Sequence, residues 1–108
     1  MVKAYTSEKA VEEVRGYFAL YHGEKAAYVN GKFASTACKV IPRESVQGEL
    51  QSFAGAIASK DLEHLATCKF LKLPFLIAVD KHFEPFDEYF TPKRFLEHLG
   101  EKPALTNY

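Results

Sequence analysis

The chain has 108 residues, 47% apolar and 14% aromatic, enough for one domain with a core and too apolar for a disordered segment. Lysine plus arginine equals aspartate plus glutamate at 14 each, so no electrostatic footprint for nucleic acid or an anionic membrane is expected. No stretch reaches the ~20 apolar residues that span a bilayer. The opening MVKAYTSEKAVEEV lacks the apolar core of a signal peptide, which predicts a cytoplasmic protein with reduced thiols.

In chain order, Val2–Tyr5 reads as a short first strand. Thr6 or Ser7 then caps a helix with Glu8 in its first turn, and Ala10, Val11, Val14, Phe18 and Tyr21 recur at helical spacing until His22-Gly23 stops the run. The segment KAAYVNGKFAS has two readings. Asn30-Gly31 is a strong hairpin signal, and a single strand passing through Gly31 is the alternative.

Pro42 suits the first position of a helix that carries Val46, Leu50 and Phe53 on one face, weakened at Gly48. SFAGAIASKD either prolongs that helix or forms a strand. Ser59 or Asp61 caps a short helix bearing Leu62, Leu65 and Ala66. In KLPFLIAVD, the five apolar residues Phe75–Val79 read as a strand buried on both faces. Asp80-Lys81-His82 turns into a second extended run, Phe83–Phe90, which Pro85 assigns to a sheet edge. A final helix is capped by Thr91, has Pro92 at its first position, buries Phe95, Leu96 and Leu99, and stops at Gly100.

This order of elements resembles the thioredoxin fold. The likeness is carried mainly by DLEHLATCKFLKLPFLIAVDKHFEPFDEYFTPKRFLEHL and, upstream, by FASTACKVIP. The resemblance implies an α/β protein over residues 1–108: three α/β/α layers around a central mixed sheet of four to five strands. It also implies a cis-proline at Pro74, which with Leu73 would present backbone to a client peptide. Cys38 would be the nucleophile beside Lys39 at a helix N-terminus, in a loop formed with Ser35, Thr36 and Ala37.

Cys38 aligns with either the first or the second cysteine of the family motif, and the CxxC pair itself is missing. Exchange of dithiols needs a second thiol to resolve the mixed disulfide. Glutathione or Cys68 would have to supply it, although Cys68 reads as a core residue. The implied activity is therefore thiol chemistry or binding of a client protein, not ordinary disulfide reduction, with no cofactor. Outside the family, an Asn30-Gly31 hairpin with PRESVQGELQSFAGAIASK as one helix would make an α+β binding or inhibitor module.

Other groups receive plainer readings. Asp80, His82, Glu84, Asp87 and Glu88 cluster as a metal or acid-base site would, but they fit a charged surface turn and edge strand better, so no metal ligand is expected among them. His22 and His64 have no motif partner. Phe83, Phe86, Tyr89 and Phe90 fit sheet packing better than a base-stacking platform, which needs basic neighbours.

Overall fold

A computed structural model describes residues 3–100. Its elements are β1 (Tyr5–Ser7), α1 (Glu8–His22), α2 (Glu24–Ala37), β2 (Lys39–Ile41), α3 (Gln47–Ser52), α4 (Ser59–Phe70), β3 (Leu76–Ile77), β4 (Tyr89–Phe90) and α5 (Pro92–His98). Two short 3-10 turns, Arg43–Val46 and Lys81–Phe83, complete the set. Helices dominate. The strands form two separate two-stranded parallel pairs, β1 with β2 and β3 with β4.

The expected three-layer architecture with a central mixed sheet of four to five strands is therefore wrong. The largest single cause lies in KAAYVNGKFAS, which is neither hairpin nor strand but the body of α2. Its polar side chains fold back on their own helix: Asn30 Nδ2 donates to the Ala26 carbonyl at 2.8 Å, and Ser35 and Thr36 donate to Gly31 and Lys32. Gly31 serves packing instead of a turn. A Cβ there would stand 2.6 Å from the Arg15 side chain of α1. Gly23, at φ 94°, is the residue that breaks the chain into an α1–α2 hairpin.

The later strands are also shorter than expected. Phe75–Val79 contributes only Leu76–Ile77, with Leu76 buried and Ile77 46% exposed, so it is not buried on both faces. Phe83–Phe90 is mostly turns, and only its last two residues pair, with Leu76↔Tyr89 and Ile77↔Phe90. SFAGAIASKD is neither continuous helix nor strand. It holds an isolated Ala54–Ile57 bridge around Gly55 at φ 86°. Pro42 precedes a 3-10 turn, and the following helix starts only at Gln47. The first strand starts three residues later than expected, and Val2 lies outside the described residues.

Signals carried by single residues fared better. Ser7 caps α1 by accepting from Ala10 N–H at 3.1 Å, and Thr91 caps α5 by accepting from Arg94 N–H at 3.2 Å. Gly100, at φ 82°, follows the last helix. Each signal needs only its own turn of chain.

The core is organised around α4. One face sends Leu65 and Cys68 into a cluster with Leu76, Phe83 and Tyr89. The other sends Ala66 against Ile41 and Val46. By contrast α1 has no buried residue, and α2 buries only Ala27 and Gly31. What seats α1 is polar. Glu63 of α4 accepts from Lys9 N–H at 2.9 Å and from the Arg43 guanidinium, which also pairs with Glu12. The hydrogen bonds that Arg43 donates to Glu63 and Glu12 push its pKa further up, so this cation stays charged. No helix among the described residues is long and apolar enough to cross a membrane.

Candidate metal centre

Three side chains that the sequence keeps apart converge beyond the carboxyl end of β3. Asp61 comes from the first turn of α4, while Asp80 and His82 come from the turn after the strand. One ligand atom from each lies within 4.8 Å of the others. His82 Nδ1 stands 2.9 Å from Asp61 Oδ2 and 3.1 Å from Asp80 Oδ1. Since both carboxylate oxygens only accept, Nδ1 carries the proton here and donates between them.

The local chain explains the convergence. Asp80 Oδ1 accepts the His82 backbone N–H at 2.9 Å, which caps the 3-10 turn and folds His82 back over the strand end. The next residue, Phe83, is buried in the core cluster and anchors that turn. Asp61 is held from the opposite side by α4, whose first turn favours an acidic residue. It is only 7% exposed, and among the described residues His82 is the one side chain hydrogen-bonded to it.

Donor chemistry fits a cation. Two carboxylates and an imidazole form a hard, mostly anionic set of the kind that holds Mg2+ or Mn2+. Oxygen and nitrogen ligands at about 2.0–2.4 Å from one ion lie no more than ~4–5 Å from each other, so little movement of these side chains is required. Lys60 and Lys81, the chain neighbours of the two carboxylates, are exposed at the same end.

A cavity of about 450 Å3 lies between β1 and the Leu73–Ala78 segment; Phe83, next to His82 in the chain, lines it, but Asp61, Asp80 and His82 do not. It is lined by Tyr5, Leu76, Phe83 and Phe95, with Ser7, His64, Lys3, Thr6 and Thr67 among its polar members, and the first two share a hydrogen-bonded chain. These two are already committed. Ser7 Oγ accepts from Ala10 N–H and lies 2.8 Å from His64 Nδ1, while His64 Nε2 lies 2.9 Å from Glu13. Ser7 therefore donates to Nδ1 and the ring donates to Glu13, a chain that ties β1 and α1 to α4.

The residues expected from the sequence are not brought together. Ser35, Thr36 and Ala37 form the last turn of α2, Cys38 is its C-cap, and Lys39 begins β2, exposed. The N–H of Cys38 donates to the Ala34 carbonyl at 3.2 Å. This corrects the helix N-terminus expected at Cys38. A C-terminus presents free carbonyls, which oppose an anion instead of supporting one. Leu73 and Pro74 line the cavity, which none of residues 35–39 touches. There is no cis peptide among the described residues, so Pro74 is trans. Cys68 is buried, and desolvation followed by the nearby Glu88 charge pushes its thiol up to about 11. Both cysteines are free.

The cation cluster was missed because Asp61 sits nineteen positions before Asp80, inside a helix that reads as core. Its only sequence signal was an aspartate at a helix start, which capping alone explains. No protein-family model matches the chain, and neither do any curated proteins or solved structures.

Proposed function

We propose that this protein is a divalent-cation-dependent hydrolase of phosphoesters, with Asp61, Asp80 and His82 as its metal centre. The observation that carries this reading is the meeting of two carboxylates and an imidazole within 4.8 Å beyond β3, one of the carboxylates nearly buried. A cation bound there would polarise a phosphoryl oxygen and acidify a coordinated water. Asp61 and Asp80 would hold it, Asp61 fixed by α4 and Asp80 by its own turn. His82 would give up its proton to join as third ligand, or swing aside and serve as proton acceptor. Lys60 and Lys81 would draw the anionic substrate to this end of the molecule. The neighbouring apolar cavity would accommodate the uncharged part of the ester.

Of the residues behind the thiol and client-binding readings, Leu73 and Pro74 line the cavity and residues 35–39 do not. Mn2+ titration tests the proposal. Amide resonances of residues 60–62 and 79–83 should broaden first, and Asp61→Asn should lose that broadening together with Mn2+-dependent cleavage of a nitrophenyl phosphodiester. Failure of Mn2+ to perturb those resonances at millimolar concentration would overturn it.

A further inference from the structure

We propose that Ser7, His64 and Glu13 form a second, metal-independent centre that hydrolyses carboxylic esters of apolar acids through an acyl-serine. Ser7 Oγ lies 2.8 Å from His64 Nδ1, and His64 Nε2 lies 2.9 Å from Glu13 Oε1. The bonds that occupy these side chains are the ones acyl transfer needs. Ala10 N–H already donates to the Ser7 oxygen, so the serine gives its own proton to Nδ1, and Nε2 carries the ring proton toward Glu13. A hydroxyl that donates to a free imidazole nitrogen is a nucleophile beside its base. The carboxylate fixes the tautomer and stabilises the imidazolium that forms. Nδ1 faces the serine here and Nε2 the carboxylate, and the placement of the protons, not the atom names, sets the roles.

The surroundings supply a place for substrate. Ser7 and His64 both stand on the wall of the 450 Å3 cavity, a volume within the ~300–1,000 Å3 usual for small-molecule pockets. Ser7 is buried, so a substrate reaches it only from that cavity. Leu76, Phe83 and Phe95 make the other walls apolar, which suits an uncharged aliphatic or aromatic acyl group.

Strand pairing adds a donor for the developing charge. Tyr5 pairs with Lys39 and Ser7 with Ile41 in parallel register, and Lys39 N–H donates to the Ala4 carbonyl at 3.0 Å. In such a ladder alternate residues bond the same neighbour, so Ala4 and Thr6 face β2, while Tyr5 and Ser7 turn their N–H and C=O to the other edge. That edge borders the cavity, which no residue of β2 lines. The Ser7 N–H is thereby directed into the space where a carbonyl oxygen gathers charge as Oγ attacks. The positive end of α1, which Ser7 caps, favours negative charge at the same place.

The chemistry balances with water alone. Oγ attacks the ester carbonyl as its proton passes to Nδ1, and the adduct collapses so that the alcohol leaves with that proton. Water then attacks the acyl-serine and gives a proton to Nδ1, and the acid departs as Oγ takes the proton back. Ser7 and His64 are the catalytic residues. Glu13 is a positioning residue that acts through the ring.

A fluorophosphonate probe and 4-nitrophenyl butanoate, both applied to the full chain in EDTA, test the proposal apart from the metal centre. The expected result is one phosphonyl group per chain, located on Ser7 by peptide mass spectrometry and absent when the chain is unfolded in urea first. Ester hydrolysis should fall in proportion to labelling. The Glu13 side chain is 54% exposed, so Glu13→Gln leaves the fold in place; it should lower kcat at least about tenfold with KM little changed. Ser7→Asn, which keeps a capping oxygen but no nucleophile, should abolish both label and hydrolysis. A label on another residue, or none, would overturn the proposal. So would hydrolysis that survives labelling of Ser7, a kcat that Glu13→Gln leaves unchanged, or hydrolysis that appears only with Mn2+.

Discussion

At position 63 a carboxylate only 5% exposed takes hydrogen bonds from Lys9 N–H and Arg43, so one side chain of α4 secures both the start of α1 and the turn before α3. Removing it strands a buried N–H and a cation held by Glu12 alone. Arg43 is partly exposed and can rehydrate, so the cost stays below that of breaking a fully buried pair. Glu63→Ala should destabilise the protein by about 2 kcal/mol in urea denaturation. Glu63→Gln should recover part of this, since it can still accept from Lys9. The two thiols make a second residue-scale contrast. Cys38 is half-buried and Cys68 is buried with its thiol pushed up to about 11. A thiol-reactive dye at neutral pH should modify one cysteine per native chain, and the second only on unfolding.

Among the elements, α4 holds the molecule together because its two faces enter both core clusters and its polar residues receive α1 and the cation cluster. The helix ends show what local sequence can specify. A cap needs one side chain and the N–H two or three residues on, so Ser7 and Thr91 were legible as caps without knowledge of the fold. Ser7 does more than cap, because it also donates to His64. Ser7→Ala should cost about 2 kcal/mol in thermal or urea unfolding, against about 1 kcal/mol for Thr91→Ala, whose hydroxyl caps only α5. Equal losses would mean that the bond to His64 adds nothing. In α2 the same local reasoning failed. Asn30-Gly31 is a strong turn signal in isolation, but here Asn30 bonds within the helix and Gly31 admits Arg15, a contact fifteen or more residues away in the chain.

For the molecule as a whole, the pairing of Lys69 with Glu88 at 2.5 Å links α4 to the segment entering β4. Burial works to raise the Glu88 carboxyl, and one of its oxygens has no partner. The Lys69 hydrogen bond, a backbone hydrogen bond and the Lys69 charge outweigh that and hold the carboxyl below its ordinary value. A lowered folded-state value means that this group stabilises the fold fully above its unfolded value near ~4.3, and that the contribution is lost as pH falls through the folded value. Stability measured against pH should therefore decline on the acid side, and Glu88→Gln should flatten that decline while lowering stability at neutral pH. An unchanged acid slope in the variant would contradict the assignment.

The amino-acid sequence by itself determined the size of the domain, the absence of a membrane-spanning apolar run, the capped starts of α1 and α5 and the residues that stop them, because each depends on composition or on neighbours within one turn. For residues 24–37 it pointed to a strand, as a hairpin or a single run, where the chain forms a helix. The Asn30-Gly31 turn signal is local, and packing against α1, with Gly31 against Arg15, settled the outcome. The candidate site was hidden for the same reason. Asp61 and the Asp80–His82 turn look like unrelated surface features until α4 and β3 pack through Leu65, Cys68, Leu76 and Phe83, and only that long-range burial brings their charges face to face.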